Sequence, residues 1–265
     1  MSDQAAETTP PEPVVRERHG RVELVRINRE AARNAIDGPT TRALDSTFDE
    51  LTEDQDVWAV VLTGTGERAF SAGMDLKAFV SGDAGIRSSE NGFAGLTRRH
   101  FPKPLIAAVN GPAGGAGMSL ALAADFTMVA ESVKMTLGYS RAGLTPDGSS
   151  TYFLPRLVGP KRALELAVTS RVLSAREALE LGLVTRVIAD DRLMAEAEAL
   201  AAELANGPTN AYGGIKRLLL MSGTNTLEEQ LDYESSTVAR MARTHDGPEG
   251  ISAFVQKRAP RFSGE

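Results

Sequence analysis

Lys103-Pro104-Leu105-Ile106-Ala107-Ala108-Val109-Asn110 runs directly into Gly111-Pro112-Ala113-Gly114-Gly115-Ala116-Gly117, and this stretch decides the fold. An apolar run of that length, bounded by a proline and a glycine cluster, reads as a fully buried strand. Met118 to Ala124 is almost wholly apolar and reads as a buried helix. Small residues in the turn let the backbone approach a ligand or a neighbouring segment closely. The helix start leaves unpaired N–H groups at the positive end of its dipole, where an anion is favoured. Taken alone, such a turn reads equally as tight helix–strand packing. It is not a phosphate loop: it lacks G-x-x-x-x-G-K-[ST] and misses G-x-G-x-x-G.

Outward from this unit, Asp125 to Ala130 returns as a strand. Val57 to Thr63 is another, ended by Gly64-Thr65-Gly66, and Arg21 to Asn28 alternates polar and apolar as a half-buried strand does. Asp37 or Thr40 caps a helix that runs through Leu44, Phe48 and Leu51. Strands alternating with helices through short loops give an α/β fold class. A second glycine turn, Ala69-Phe70-Ser71-Ala72-Gly73-Met74-Asp75-Leu76, lies about forty residues upstream of the first. Residues 82–99 are rich in glycine and serine and are expected to form a mobile loop near the site.

Beyond about residue 160 the texture turns helical, over 161–170, 174–181, 191–205, 209–221 and 227–243. Ser174 with Glu177 forms a capping box, and Asp246 with Glu249 a weaker one. Asn206-Gly207-Pro208 stops one helix and starts the next. The expected division is a tail at 1–13, an α/β core at 14–206 and a helical C-terminal region at 207–265.

The 265 residues carry 29 Lys+Arg against 35 Asp+Glu, a net charge of −6, with no long basic run, which argues against nucleic acid or an anionic membrane as partner. The absence of cysteine excludes disulfides, thiolate metal sites and cysteine nucleophiles. No apolar run approaches the ~20 residues of a membrane span. The Pro-rich N-terminus has neither the basic nor the apolar region of a signal peptide and reads as a disordered tail, so a cytoplasmic enzyme is expected. His19, His100 and His245 lack ligand spacing, so no metal is expected. His100 reads as a surface or core histidine that could line a pocket, and Trp58 as core.

Together, Asn28-Arg29-Glu30-Ala31-Ala32-Arg33-Asn34-Ala35-Ile36, the two glycine turns, Gly143-Leu144-Thr145-Pro146-Asp147, Leu154-Pro155-Arg156-Leu157-Val158-Gly159 and the tail Phe254 to Phe262 resemble the crotonase (enoyl-CoA hydratase/isomerase) superfamily, from about Val14 to Phe262. The resemblance implies a crotonase-like spiral of β-β-α units with a C-terminal helical trimerisation region, assembled as a homotrimer or a hexamer. It implies an acyl-CoA thioester substrate, with coenzyme A as part of that substrate and no separate cofactor. The thioester enolate would be held by two backbone amides, which fall on Met74 and Ala116. Ala116 stands where glycine is common, and its methyl is tolerable if φ is negative.

The two glutamates of the family's hydratases fall on Ser119 and Tyr139, neither of which serves as a base near neutral pH. Asp147 is the remaining acid. By itself an aspartate in Pro-Asp-Gly reads as a turn or N-cap residue. Its place resembles the single acid of enoyl-CoA isomerases, including the ring-epoxide isomerase of phenylacetate degradation, and a dehalogenase branch uses it as a nucleophile. The resemblance puts substrate contacts at Arg33, Ala35, Ala72, Lys77, Gly115, Ser119, Tyr139, Phe254 and Lys257, although Arg33 and Lys257 read equally as solvated surface charges. The implied activity is 3-enoyl-CoA to 2-enoyl-CoA isomerisation, with hydration, epoxide isomerisation and non-catalytic acyl-CoA binding as alternatives.

Overall fold

The computed structural model describes residues 11–83, 91–96 and 100–265, so most of the expected tail and much of the loop expected at 82–99 lie outside the described residues. Two strands, β1 (Val14–His19) and β2 (Val22–Ile27), pair antiparallel. The main sheet continues in parallel through β3 (Ala59–Gly64), β4 (Leu105–Val109), β6 (Phe126–Ala130) and β9 (Arg186–Ile188), in the order β1-β2-β3-β4-β6-β9. Every residue of β3 and β4 is buried, which is why both read as unbroken apolar runs: parallel strands are covered on both faces. A small second sheet joins β5 (Ala113–Gly114), β7 (Lys134–Thr136) and β8 (Leu173–Ser174).

The first helix, α1 (Gly38–Glu53), is capped as expected: Thr40 N donates to the Asp37 side chain at 2.9 Å, and Leu44, Phe48 and Leu51 are buried beneath it. α2 (Leu76–Val80) and α3 (Ala116–Ala123) follow the two glycine turns. α4 (Ser150–Val158), α5 (Pro160–Thr169) and α6 (Ala175–Glu180) lead to α7 (Leu193–Leu204), which lays Leu193, Ala197, Leu200 and Ala201 on the sheet at helical spacing. α8 (Thr209–Met221), α9 (Leu227–Met241) and α10 (Asp246–Gln256) complete the chain.

The structure departs from the sequence reading in several places, among them β2, which is buried almost throughout instead of half-buried. β1 was not expected, because its Arg16 and Arg18 hide the strand pattern; both donate to the buried Glu23 of β2 at 2.7 Å. β9 lies between the helices expected at 174–181 and 191–205, where no strand was expected, and it closes the main sheet beside β6. Asp246 does not cap α10: its carboxylate is buried and accepts the amides of Ser263 at 2.7 Å and Gly264 at 3.0 Å, pinning the C-terminal tail. A complete capping box stands instead at Thr226 and Glu229, alongside the expected one at Ser174 and Glu177.

Candidate active site

The chain leaves β3 and β4 at the same end of the sheet, so the two glycine turns meet there. Ser71 to Asp75 lies between Arg33–Ile36 on one side and Ala113–Gly117 on the other. Ala72 N donates to Arg33 O at 3.0 Å, Ile36 N to Gly73 O at 2.8 Å, Asp75 N to Ile36 O at 2.9 Å and Gly114 N to Ser71 O at 3.0 Å. In the parallel bridge between Ile36 and Met74, Gly73 O and Asp75 N face Ile36, so the N–H of Met74 points to the opposite side.

Ala116 opens α3, and its amide precedes the first intrahelical bonds, which run from Met118 and Ser119 to Gly115 O. The positive φ falls on Gly115, at +53°, and not on Ala116, which removes the steric objection to its methyl. Gly73, at φ +86°, is so close that an added Cβ would stand 2.7 Å from Ala116 N. Neither the Met74 nor the Ala116 amide has an acceptor among the described residues. Two unpaired donors on neighbouring turns, one at a helix start, are groups with which a backbone can hold a developing oxyanion.

Side chains that the sequence reading did not single out fix these turns. Buried Asn34 donates to Thr65 O at 3.0 Å and Ala69 O at 2.7 Å, and accepts from Arg29 N at 3.0 Å. Ser71 Oγ donates to Asn34 O at 2.8 Å and accepts from Gly73 N at 3.1 Å. Asn110 donates to Gly64 O at 2.9 Å and Gly66 O at 2.7 Å, tying the end of β4 to the end of β3. Each sits inside a quoted motif, and a polar residue amid small ones was the only sign of it.

Asp147, Tyr139 and Ser119 come together as one cluster. Ser119 is buried on α3, three residues after Ala116 and on the same helix face. Its hydroxyl donates to Asp147 O at 3.1 Å and lies 3.3 Å from Tyr139 Oη, and Tyr139 donates to Asp147 Oδ1 at 2.7 Å. Burial pushes the Tyr139 phenol well above its usual pKa, and the Asp147 carboxylate adds to that shift, so Tyr139 remains a donor. The Asp147 carboxylate caps no helix: Ser149 stands at the cap of α4 with no side-chain cap bond, and the other Asp147 oxygen has no partner among the described residues. Asp147 is itself exposed, at the open side of the cluster.

The remaining expected contacts divide into two groups. Ala35 is buried and Met74 and Gly115 are half-buried at the turns, while Ala72, Arg33 and Lys77 are exposed beside them. Neither Arg33 nor Lys77 has a carboxylate partner among the described residues, whereas Arg29 pairs with Asp37 at 2.8 Å and Asp75 at 3.1 Å. Burial opposes ionisation of Asp75, but the Ala78 amide and Arg29 outweigh it and lower its pKa. Phe254, 86% exposed, and Lys257, at φ +54°, end α10, and no hydrogen bond or ion pair joins them to the turns among the described residues. No group of three or more His, Asp or Glu is placed to hold a metal among the described residues, and no described helix is long and apolar enough to cross a membrane.

The family model described as enoyl-CoA hydratase/isomerase matches residues 17–265. The chain is 38% identical over 247 residues to a 1,2-epoxyphenylacetyl-CoA isomerase of Escherichia coli K12, covering 90% of this chain and 94% of that one. It is 38% identical over 253 residues to a carnitinyl-CoA dehydratase of Salmonella typhi, covering 93% and 97%. The fold matches the crystal structure of enoyl-CoA hydratase EchA1 from Mycobacterium marinum with a TM-score of 0.90 at 33% identity, over 96% of this chain and 100% of that one.

Proposed function

The chain belongs to the enoyl-CoA hydratase/isomerase family, and on that premise we propose that it moves the double bond of a 3-enoyl-CoA thioester to the 2-position. The thioester oxygen accepts from the amides of Met74 and Ala116. Asp147 removes a proton from C2, and the electron pair spreads over the thioester oxygen and the C3–C4 bond as a dienolate. The same carboxyl group returns the proton to C4, so the double bond shifts to C2–C3 with no atom gained or lost. Oxyanion donors of this kind are worth roughly 3–4 kcal/mol each in a dry site.

The observation that carries this reading is the Tyr139–Asp147 hydrogen bond of 2.7 Å, beside Ser119. The two places that the resemblance assigns to water-activating carboxylates hold hydroxyls, and the single carboxylate of the cluster is aimed by one of them. A lone acid suits carrying one proton between two carbons better than activating a water. Arg33 and Lys77 bind the phosphates of coenzyme A beside the turns, Ala35, Ala72 and Gly115 line its path, and Phe254 and Lys257 complete the site of a neighbouring copy in a homotrimer or a dimer of trimers. No separate cofactor enters the reaction.

The isomerase relative supports a second reading, isomerisation of a ring epoxide of an aromatic acyl-CoA, and the dehydratase relative a third, addition or removal of water. Turnover of matched 3-enoyl-, 2-enoyl- and epoxyphenylacetyl-CoA by one preparation separates them. The proposal expects the highest kcat/KM on the 3-enoyl ester. A preference for either other ester replaces it, and acyl-CoA binding without turnover of any of the three makes the chain a binding protein.

A further inference from the structure

The segments that enter β3 and β4, Gln55–Trp58 and His100–Lys103, lie at the end of the sheet opposite the glycine turns. There they face α8 and α9 across a cavity of about 650 Å³. Arg217 of α8, Arg240 of α9 and His100 line it, and no aspartate or glutamate among the described residues does, in a chain whose carboxylates outnumber its Lys and Arg by 35 to 29. Neither arginine has a carboxylate partner among the described residues. Lys103 differs: its ammonium is buried and donates to the carbonyls of Leu51 and Asp54. The two guanidinium groups are therefore free donors on one cavity, and planar forks of this kind fit a carboxylate or phosphate two bonds at a time. Trp58, Tyr233 and Met241 add apolar wall.

The cavity is not on the side of α9 left open to other copies. Tyr233, Arg240 and Met241 lie on the same side as buried Thr237, against whose methyl Gly214 of α8 packs. Exposed Leu227, Leu231 and Val238 project roughly a third of a turn away. Burial lowers the His100 pKa, and the charges of Arg217 and Lys216 add to that shift, with the Phe101 backbone and Asp125 opposing it.

We propose that this cavity binds a small organic anion, with a carboxylate or phosphate on Arg217 and Arg240 and an apolar body against Trp58 and Met241. The site is separate from the acyl-CoA site and does not depend on which reaction the turns perform.

Trp58 is the single tryptophan of the chain, so its fluorescence reports on this cavity. The full-length protein is titrated with benzoate, with inorganic phosphate and with uncharged benzamide at constant ionic strength, excited at the red edge to avoid the ligands. A saturable change with benzoate, phosphate or both is expected, and none with benzamide; which anion binds tighter identifies the headgroup. The variant carrying Arg217→Gln and Arg240→Gln is expected to bind at least tenfold more weakly, with acyl-CoA turnover and far-ultraviolet dichroism unchanged. Should that variant fail to fold, each single variant is expected to weaken binding several-fold. An equal response to benzamide, no saturable response to either anion, or unchanged affinity in folded variants overturns the proposal. So does a Trp58 signal that depends on protein concentration alone, which would mean that a second copy fills the cavity.

Discussion

The hydroxyl of Tyr139 donates to Oδ1 of Asp147 at 2.7 Å from a buried position, while Asp147 itself is exposed. A rigid donor thus holds a carboxylate on an otherwise open loop. A hydrogen bond to a charged group contributes ~1.5–3 kcal/mol, or about 10- to 100-fold in rate if it is needed only for orientation. Tyr139→Phe is therefore expected to lower kcat by that factor and to leave the KM for the acyl-CoA ester within a few-fold. Steady-state kinetics on the preferred ester checks the split; a change in KM alone would make Tyr139 a packing residue.

Asp147→Asn keeps the side-chain shape and removes the base. Loss of a general base costs ~10²–10⁴ in rate. Affinity for a non-reacting acyl-CoA should stay within a few-fold, because the amides of Met74 and Ala116 are untouched. Calorimetric binding beside turnover measures both. Activity retained within a few-fold makes Asp147 structural.

An alanine at Gly73 would bring its Cβ to 2.7 Å from Ala116 N at a φ that L residues avoid. The backbone must shift, and the two amides move apart with it. Gly73→Ala is expected to cost a few kcal/mol of stability and to abolish turnover, whereas Gly20→Ala, with open space around it, costs only its φ strain. Urea denaturation compares the two.

Several carboxylates are held below their usual range, so stability must fall in acid. Arg258 and the amide of Arg261 bring half-buried Glu249 to a pKa of about 2 against an ordinary 4.5, and Ser174 with Arg171 brings Glu177 to about 2. Between those values the unfolded chain takes up protons that the folded chain refuses, so the stabilisation present above pH 4.5 is lost as pH falls toward 2. Thermal melts from pH 2.5 to 6 should show this slope, and Glu249→Gln should flatten it.

Leu219 is 71% exposed and Leu227 69% exposed on the C-terminal helices, near the expected assembly faces. Light scattering at micromolar concentration should give three or six copies, and Leu227→Glu should shift the mass downward. A monomeric wild type removes the assembly and with it any role for Phe254 and Lys257 in a neighbour's site.

How much was legible follows from how local each determinant is. β4, its turn and α3 were readable because burial on all sides leaves an apolar run, and α8 ran from Thr209 to Met221 as its periodicity required. β9 was not: three residues, Arg186–Ile188, become a strand only by pairing with β6, 58 residues earlier. The glycines marked both turns of the candidate site. Asn34, Ser71 and Asn110 acquire their partners only when three separate segments meet. The positions of Asp147 and Tyr139 were visible, but the bond between them was not.

The donors assigned to the thioester are main-chain atoms. No exchange of one side chain for another deletes an N–H, short of proline or a Cβ forced into the glycine contacts. On the proposed mechanism the polarising half of the chemistry is therefore inherited with the fold, out of reach of ordinary point mutation. Ser119, Tyr139 and Asp147 are side chains, each open to single-codon change. On the proposed mechanism, a change at any of these three positions would alter the proton transfer and leave the amides of Met74 and Ala116 in place to bind the thioester oxygen.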